Sequence, residues 1–309
     1  MMINIRNELC ITSCWTLDGW SHSVSGHIFE IIDYYYTLKN KYDTCILLCE
    51  PSMTPEWFRE VIIEKYNFSD DEIDDIIRST KFHNTPKYVK CNKILFVDGC
   101  LIKMQQSGVH VFYNEAYTFK CCKYETIHDL ELYSDVIPLL DYRVYENINQ
   151  ADVDIGINYV KKILLDRYKS IENDMTNTAL IYATKNCRRL TNAQIDKIVH
   201  TYKFDRYIVV TDVPDVYEQS HDNIITLQPP VKNLFERFDT YIYTPTLMKW
   251  DGSPRFPVEC DHYQKGVLYH DIDDQYLEHD RGLYFRIQDI QSDREELHLK
   301  QTDDILNII

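Results

Sequence analysis

The chain has 309 residues, more than a single hydrophobic core usually serves, so two domains of roughly 150 residues each are expected. Apolar residues at 44% are enough to fill packed cores, but no apolar run approaches the ~20 residues of a membrane span, which excludes a helical membrane protein. A net charge of −16 excludes a general polyanion binder, whose affinity rests on Lys and Arg neutralising phosphates, and leaves room only for a local basic cleft.

The first half alternates strand and helix. "ELCITSCW" reads as a short apolar strand, followed by "SGHIFEIIDYYYTLKN" with Ile28, Ile31, Ile32, Tyr35 and Leu38 at helical spacing. "YDTCILLCE" reads as a buried strand. "TPEWFREVIIEKY" opens with Thr54 as N-cap and Pro55 at the first helical position. "SDDEIDDIIRST" is an acidic helix capped by Ser69, while "NKILFVDGC" and "HVFYNE" are strands. This order is that of a parallel sheet covered on both faces.

Residues 152–173, "DVDIGINYVKKILLDRYKSIEN", read as a charged helix, after which the rhythm restarts. "TALIYAT" is a strand, "TNAQIDKIVHTY" a helix and "DRYIVVTDV" a strand. "NIITLQ", "FDTYIYTP" and "GVLYH" are shorter strands, and "DREELHLKQTDDILNII" is a closing helix that docks back. Two Rossmann-like α/β domains are expected, over 1–172 and 173–309.

The ten cysteines form no CxxC pairs. Cys10 with Cys14, and Cys45 with Cys49, are spaced to share a strand face and read as small buried apolar residues. Residues 1–10 lack a signal-peptide pattern, so a reducing, cytoplasmic setting is expected.

Open parallel sheets bind ligands at the carboxyl ends of their strands, so the loops after strands carry the chemistry. "KNCRR" follows "TALIYAT" with three cations, Lys185, Arg188 and Arg189, just ahead of a helix capped by Thr191. Cations beside a helix N-terminus suit phosphate, because unpaired N–H groups and the macrodipole add to the side-chain charge. A solvated basic turn is the plainer reading. In "DGSPRFPVECDHYQKGVLYH", Arg255 stands on the loop before a short helix that Glu259 opens. A carboxylate there suits the paired hydroxyls of a ribose, and an arginine can fork onto a phosphate. The alternative is a local ion pair, worth little in solvent. "QPPVKN" offers a rigid segment at Pro230 and Val231 whose backbone could meet a base edge.

The ordered pieces "IYATKNCRRL", "YIVVTD", "NIITLQPPVKN", "FDTYIYTPT" and "SPRFPVECDHYQKGV" resemble the nucleotide-binding domain of GT-B glycosyltransferases over about residues 176–272. That family has two facing Rossmann-like domains and uses nucleotide-sugar donors. The resemblance implies that Glu259 binds the donor ribose and that Arg188, Arg189 and Arg255, with Lys185, face the diphosphate. It implies a uridine-linked sugar as co-substrate, with no obligatory cofactor or metal. Two departures stand out: the family's glycine-rich opening to this domain is missing, and its Gly-Lys-Pro-Val-like turn is replaced by Gln264-Lys265-Gly266-Val267.

On the acceptor side, "CWTLDGWSHSVSGHIFE" puts Asp18 and His22 in the first loop, with Gly19 and Gly26 allowing close backbone approach and His27 lining the cleft from the first helical turn. An inverting transfer needs a general base, for which Asp18, His22 and Asp98 are three alternatives. Asp271 and Asp273 form a rival Asp-x-Asp metal pair, but too close to the C-terminus for a metal-dependent GT-A domain to precede it usefully. The expected enzyme moves a hexose or pentose to an acceptor hydroxyl, as a monomer or homodimer off the membrane. In AT-biased composition, compactness and the absence of a membrane-binding helix the chain resembles the small viral glycosyltransferases that decorate hydroxymethylated bases in phage DNA, which would act in the host cytoplasm. Lys87, Lys90, Lys93 and Lys103, with Tyr88, would line a DNA-facing groove. A glycan, protein or small-molecule acceptor is the alternative, as is a non-catalytic nucleotide-binding or structural module of the same fold.

Overall fold

The structure, a computed structural model, describes residues 2–13, 26–50, 52–84, 86–97, 109–118, 136–138, 163–172, 176–184, 190–214, 217, 221–229, 231–244 and 255–270. These fall into two compact units, one within Met1–Tyr168 and one within Lys169–Asp289. Both are α/β with wholly parallel sheets.

In the first unit, β2 (Leu9–Thr12), β3 (Thr44–Leu48), β4 (Thr80–Phe82), β6 (Lys93–Phe96), β8 (Glu115–Thr118) and β9 (Val136–Pro138) form one sheet in the order β4-β3-β2-β6-β8-β9. Numbered by its own strands, that is the doubly wound order 3-2-1-4-5-6, whose switch point lies between β2 and β6. A second sheet holds β1 (Met2–Asn4), β5 (Tyr88–Lys90) and β7 (His110–Phe112). Each of its strands runs into one of the larger sheet, β1 to β2, β5 to β6 and β7 to β8. Ile3 and Val89 of the small sheet share a buried core with Cys10, Cys45, Leu47, Ile94 and Phe96 of the large one. "HVFYNE" is therefore two strands rather than one. Asn114 breaks it by donating its backbone N–H to the Asn92 carbonyl (2.9 Å) and its side-chain amide to Asn92 Oδ1 (2.8 Å).

The helices form where the sequence caps them. α1 (Gly26–Leu38) packs against β2 and β3. α2 (Pro55–Lys65) starts at Thr54, whose hydroxyl accepts from the Trp57 N–H. α3 (Asp70–Ser79) has a full capping box between Ser69 and Glu72, and its three acidic residues in the first turn suit the macrodipole.

The charged segment before the second unit departs from expectation in its described part. Residues 163–172 hold only a 3₁₀ turn, Leu165–Arg167, and an isolated antiparallel bridge from Tyr168 to Tyr66. Tertiary partners take the groups a helix would have paired. Asp33 Oδ1 accepts from the Leu164 N–H (3.4 Å), and the Arg167 carbonyl accepts from the Asn67 N–H (2.6 Å).

The second unit has β10 (Thr178–Tyr182), β11 (Arg206–Val210), β12 (Ile224–Leu227), β13 (Thr240–Tyr243) and β14 (Gly266–Tyr269) in the order β12-β11-β10-β13-β14, again doubly wound as 3-2-1-4-5. α4 (Asn192–Thr201) buries Ile195 and Ile198 against Ala179, Ile181, Tyr207 and Val209. α5 (Arg255–His262) puts Cys260 with Leu180, Ile208, Val210 and Tyr241. Since Ala179, Leu180 and Ile181 alternate across the sheet, the two helices cover opposite faces.

Candidate functional site

In the second unit the switch point lies between β10 and β13. The chain leaves β10 toward residues 185–189 and α4, and leaves β13 toward residues 245–254 and α5. The chain thus leads into the cationic loop and toward Arg255 and Glu259 from the carboxyl ends of neighbouring parallel strands, because topology makes β10 and β13 adjacent. Lys185, Arg188, Arg189 and Pro230 lie outside the described residues, as do Asp271 and Asp273.

Arg255 and Glu259 are within α5, not ahead of it. Pro257 sits in the first turn of the helix, where its fixed φ fits and its missing N–H costs nothing. The four-residue spacing therefore brings both side chains to one helix face. Arg255 Nε donates to Glu259 Oε1 at 2.6 Å, and the side chains are only 6% and 3% exposed. This is a buried charge pair, not the solvent-exposed one the loop reading allowed. Val231 packs against the core formed by Leu180, Leu234 and Phe238.

The helix that follows the cationic loop is closed in part by its own residues. Thr191 Oγ1 accepts from the Gln194 N–H (3.3 Å), and Gln194 Oε1 accepts from the Thr191 N–H (2.9 Å). Any phosphate affinity at this end leans on the loop cations more than on free helix donors.

The Gln264-Lys265-Gly266-Val267 segment ends α5 and starts β14. Gln264 takes the left-handed conformation, φ 57°. The Lys265 N–H reaches the Cys260 carbonyl (2.7 Å) and the Gln264 N–H the Asp261 carbonyl (2.9 Å), which is the Schellman pattern. Gly266 sits close against the neighbouring strand, where a Cβ would stand 3.0 Å from Thr240 Oγ1.

In the first unit, β2 and β6 flank the switch point, and the Val97 N–H donates to the Thr12 carbonyl (3.0 Å) where both strands end. Asp18, Gly19, His22 and Asp98 lie outside the described residues. His27 stands in the first turn of α1, as its spacing predicts, and its Nδ1 is 3.2 Å from Glu30 Oε2. Glu30 is buried, as is Glu50 just past the end of β3, where it accepts from Ser52. Neither glutamate figured among the candidates. A carboxylate three residues after His27 on a helix was the available signal for the first. An acid closing the apolar run "YDTCILLCE" was the signal for the second.

Among the described residues no three His, Cys, Asp or Glu side chains are grouped to hold a metal ion. Cys10, Cys45, Cys49, Cys91 and Cys260 are all buried, in keeping with their reading as small apolar residues. No described helix is long and apolar enough to cross a membrane. Comparison with protein-family models, curated proteins and solved structures finds no match to this chain.

Proposed function

We propose that the protein is a GT-B-like glycosyltransferase that takes a nucleotide sugar, with uridine diphosphate as its leaving group, and transfers the sugar to an acceptor hydroxyl. The observation that carries this reading is the adjacency of β10 and β13, which starts the Lys185–Arg189 loop and the segment leading to Arg255 and Glu259 from one switch point. Cations there would stabilise charge growing on the leaving diphosphate, which is electrostatic preorganisation without a metal. To the base candidates Asp18, His22 and Asp98 we add His27, which the sequence alone places only as lining the cleft. A carboxylate bonded to one imidazole nitrogen fixes the tautomer and supports the cation formed on proton uptake, and Glu30 is so disposed. The acceptor in this reading is a hydroxymethylated base in viral DNA, with a glycan, protein or small molecule as the alternative.

One observation favours a second reading, a nucleotide-binding or structural module without turnover: Arg255 and Glu259 already bind each other. The two readings separate on slow hydrolysis of the donor, which a catalytic cleft performs and a binding module does not.

The test is thermal stabilisation by a panel of nucleoside diphosphates. Uridine diphosphate at a hundredfold its dissociation constant should add about 2.7 kcal/mol to stability. The gain should vanish in Arg188→Ala/Arg189→Ala. If no nucleotide shifts the melting temperature, the glycosyltransferase reading fails. If a donor binds and is hydrolysed, His27→Ala should lower turnover without weakening nucleotide binding.

A further inference from the structure

The small sheet of the first unit has one face in the core and one in solvent. Its register aligns Met2 with Tyr88 and His110, Ile3 with Val89 and Val111, and Asn4 with Lys90 and Phe112. The middle row faces inward, with Ile3 and Val89 buried and Val111 packed beside them. The other two rows face out. Met2 and Phe112 are 60% and 50% exposed, so this open face carries two large apolar side chains.

The outward rings are organised. Tyr88 stacks on His110 with centroids 5.6 Å apart and planes 23° apart, and on Phe112 at 6.3 Å and 28°. Lys87 Nζ stands 5.6 Å from the Tyr88 centroid, and Lys90 lies in the row between Asn4 and Phe112. In a chain of net charge −16, the two outward rows carry no carboxylate and have Lys90, with Lys87 at their edge. Lys93, by contrast, is taken up by Glu115 at 3.3 Å on the larger sheet, and Lys103 lies outside the described residues.

We propose that this face is a docking surface for an unpaired nucleic-acid strand. Aromatic rings on an open sheet face give successive bases a surface to stack on, and adjacent lysines meet the phosphates. Paired bases keep their faces inside the duplex, so a double strand could offer only its phosphates, for which two lysines in an acidic chain are a poor match. Within the first unit the small sheet precedes the starts of β2, β6 and β8, whereas the switch-point crevice opens at the carboxyl ends of β2 and β6, so the proposal does not depend on the glycosyltransferase reading.

Fluorescence anisotropy of a labelled oligothymidine, titrated with the full chain at low salt, tests the proposal. Saturable binding is expected, stronger for the single strand than for a duplex of equal length and falling steeply with added salt. Tyr88→Ala and Phe112→Ala should each weaken it by about five- to a hundredfold, and Lys87→Ala/Lys90→Ala should flatten the salt dependence. All four positions are at the surface, and unchanged melting temperatures would show that the variants fold. Absent or non-saturable binding overturns the proposal, as do equal affinity for duplex and binding indifferent to Tyr88 and Phe112. Concentration-dependent dimerisation abolished by Phe112→Glu also overturns it, because a second copy would then own this face.

Discussion

Arg255 and Glu259 form a buried ion pair one helical turn apart, with Arg255 Nε 2.6 Å from Glu259 Oε1. Burial changes what each side chain is worth. In solvent such a pair contributes little, whereas removing one partner of a buried pair strands the other charge and costs about 3–5 kcal/mol. Arg255→Ala and Glu259→Ala should each lower stability by that amount in urea unfolding, whether or not a ligand binds nearby. Replacing both with apolar residues, Arg255→Met/Glu259→Leu, should cost less than either single change, because no charge of the pair is then left behind. That double variant therefore separates folding from function: if it folds and still binds uridine diphosphate as the wild type does, the pair is purely structural.

Gln264 occupies a left-handed position that glycine usually fills in a Schellman motif. Its Cβ crowds the following carbonyl, a cost glycine avoids, partly offset by glycine's greater freedom when unfolded. Gln264→Gly should stabilise the protein by about 0.5–1 kcal/mol. Thermal unfolding checks this, and a lower melting temperature would mean that the Gln264 side chain makes a contact worth more than the strain.

Glu72 ties three elements together. Its Oε1 accepts from the Tyr36 hydroxyl (2.6 Å), its Oε2 from the Ser69 N–H (2.8 Å), and Arg167 lies 3.5 Å away. The Tyr36 hydroxyl first, then the Ser69 N–H, hold its pKa down to about 2 from an ordinary 4.5. A depressed folded-state pKa means stability present in full above the ordinary value and lost as pH falls from there toward 2. Acid unfolding should therefore steepen below pH 4.5, and Glu72→Gln should flatten that limb while leaving neutral stability lower. An unchanged limb would assign the acid sensitivity elsewhere.

The buried thiols should be inert in the native state. The hydrogen bond to Cys45, then burial, raises the Cys10 pKa, while burial pushes Cys49 well up and Cys91 to about 12. The thiolate is the reactive form, so alkylation must wait for opening of the core. Mass spectrometry after iodoacetamide treatment should find Cys10, Cys45, Cys49, Cys91 and Cys260 unmodified in folded protein and modified in urea. Fast native labelling of any of them would contradict the packing.

Much of the local structure was legible from side-chain chemistry alone. Thr54, Ser69 and Thr191 cap helices because a hydroxyl two or three residues ahead of unpaired N–H groups has one good use, and those groups are near in sequence. The apolar runs from Leu9, Thr44, Thr178 and Arg206 are strands for an equally local reason, being short, β-branched and bounded by turn residues. Residues 163–172 failed that logic, since their helical spacing lost to hydrogen bonds that Asp33 accepts and Asn67 donates, both far away in the chain.

The sequence by itself determined most of the described helices and strands and that charge collects in the stretches after strands, because capping, periodicity and turn chemistry act over a few residues. Only the tertiary structure decided the rest. Strand order made β10 and β13 neighbours, packing buried the Arg255–Glu259 pair inside α5, and a second small sheet left Tyr88, His110 and Phe112 on one open face. Those outcomes depend on which distant segments exclude water from one another, and no local pattern records that.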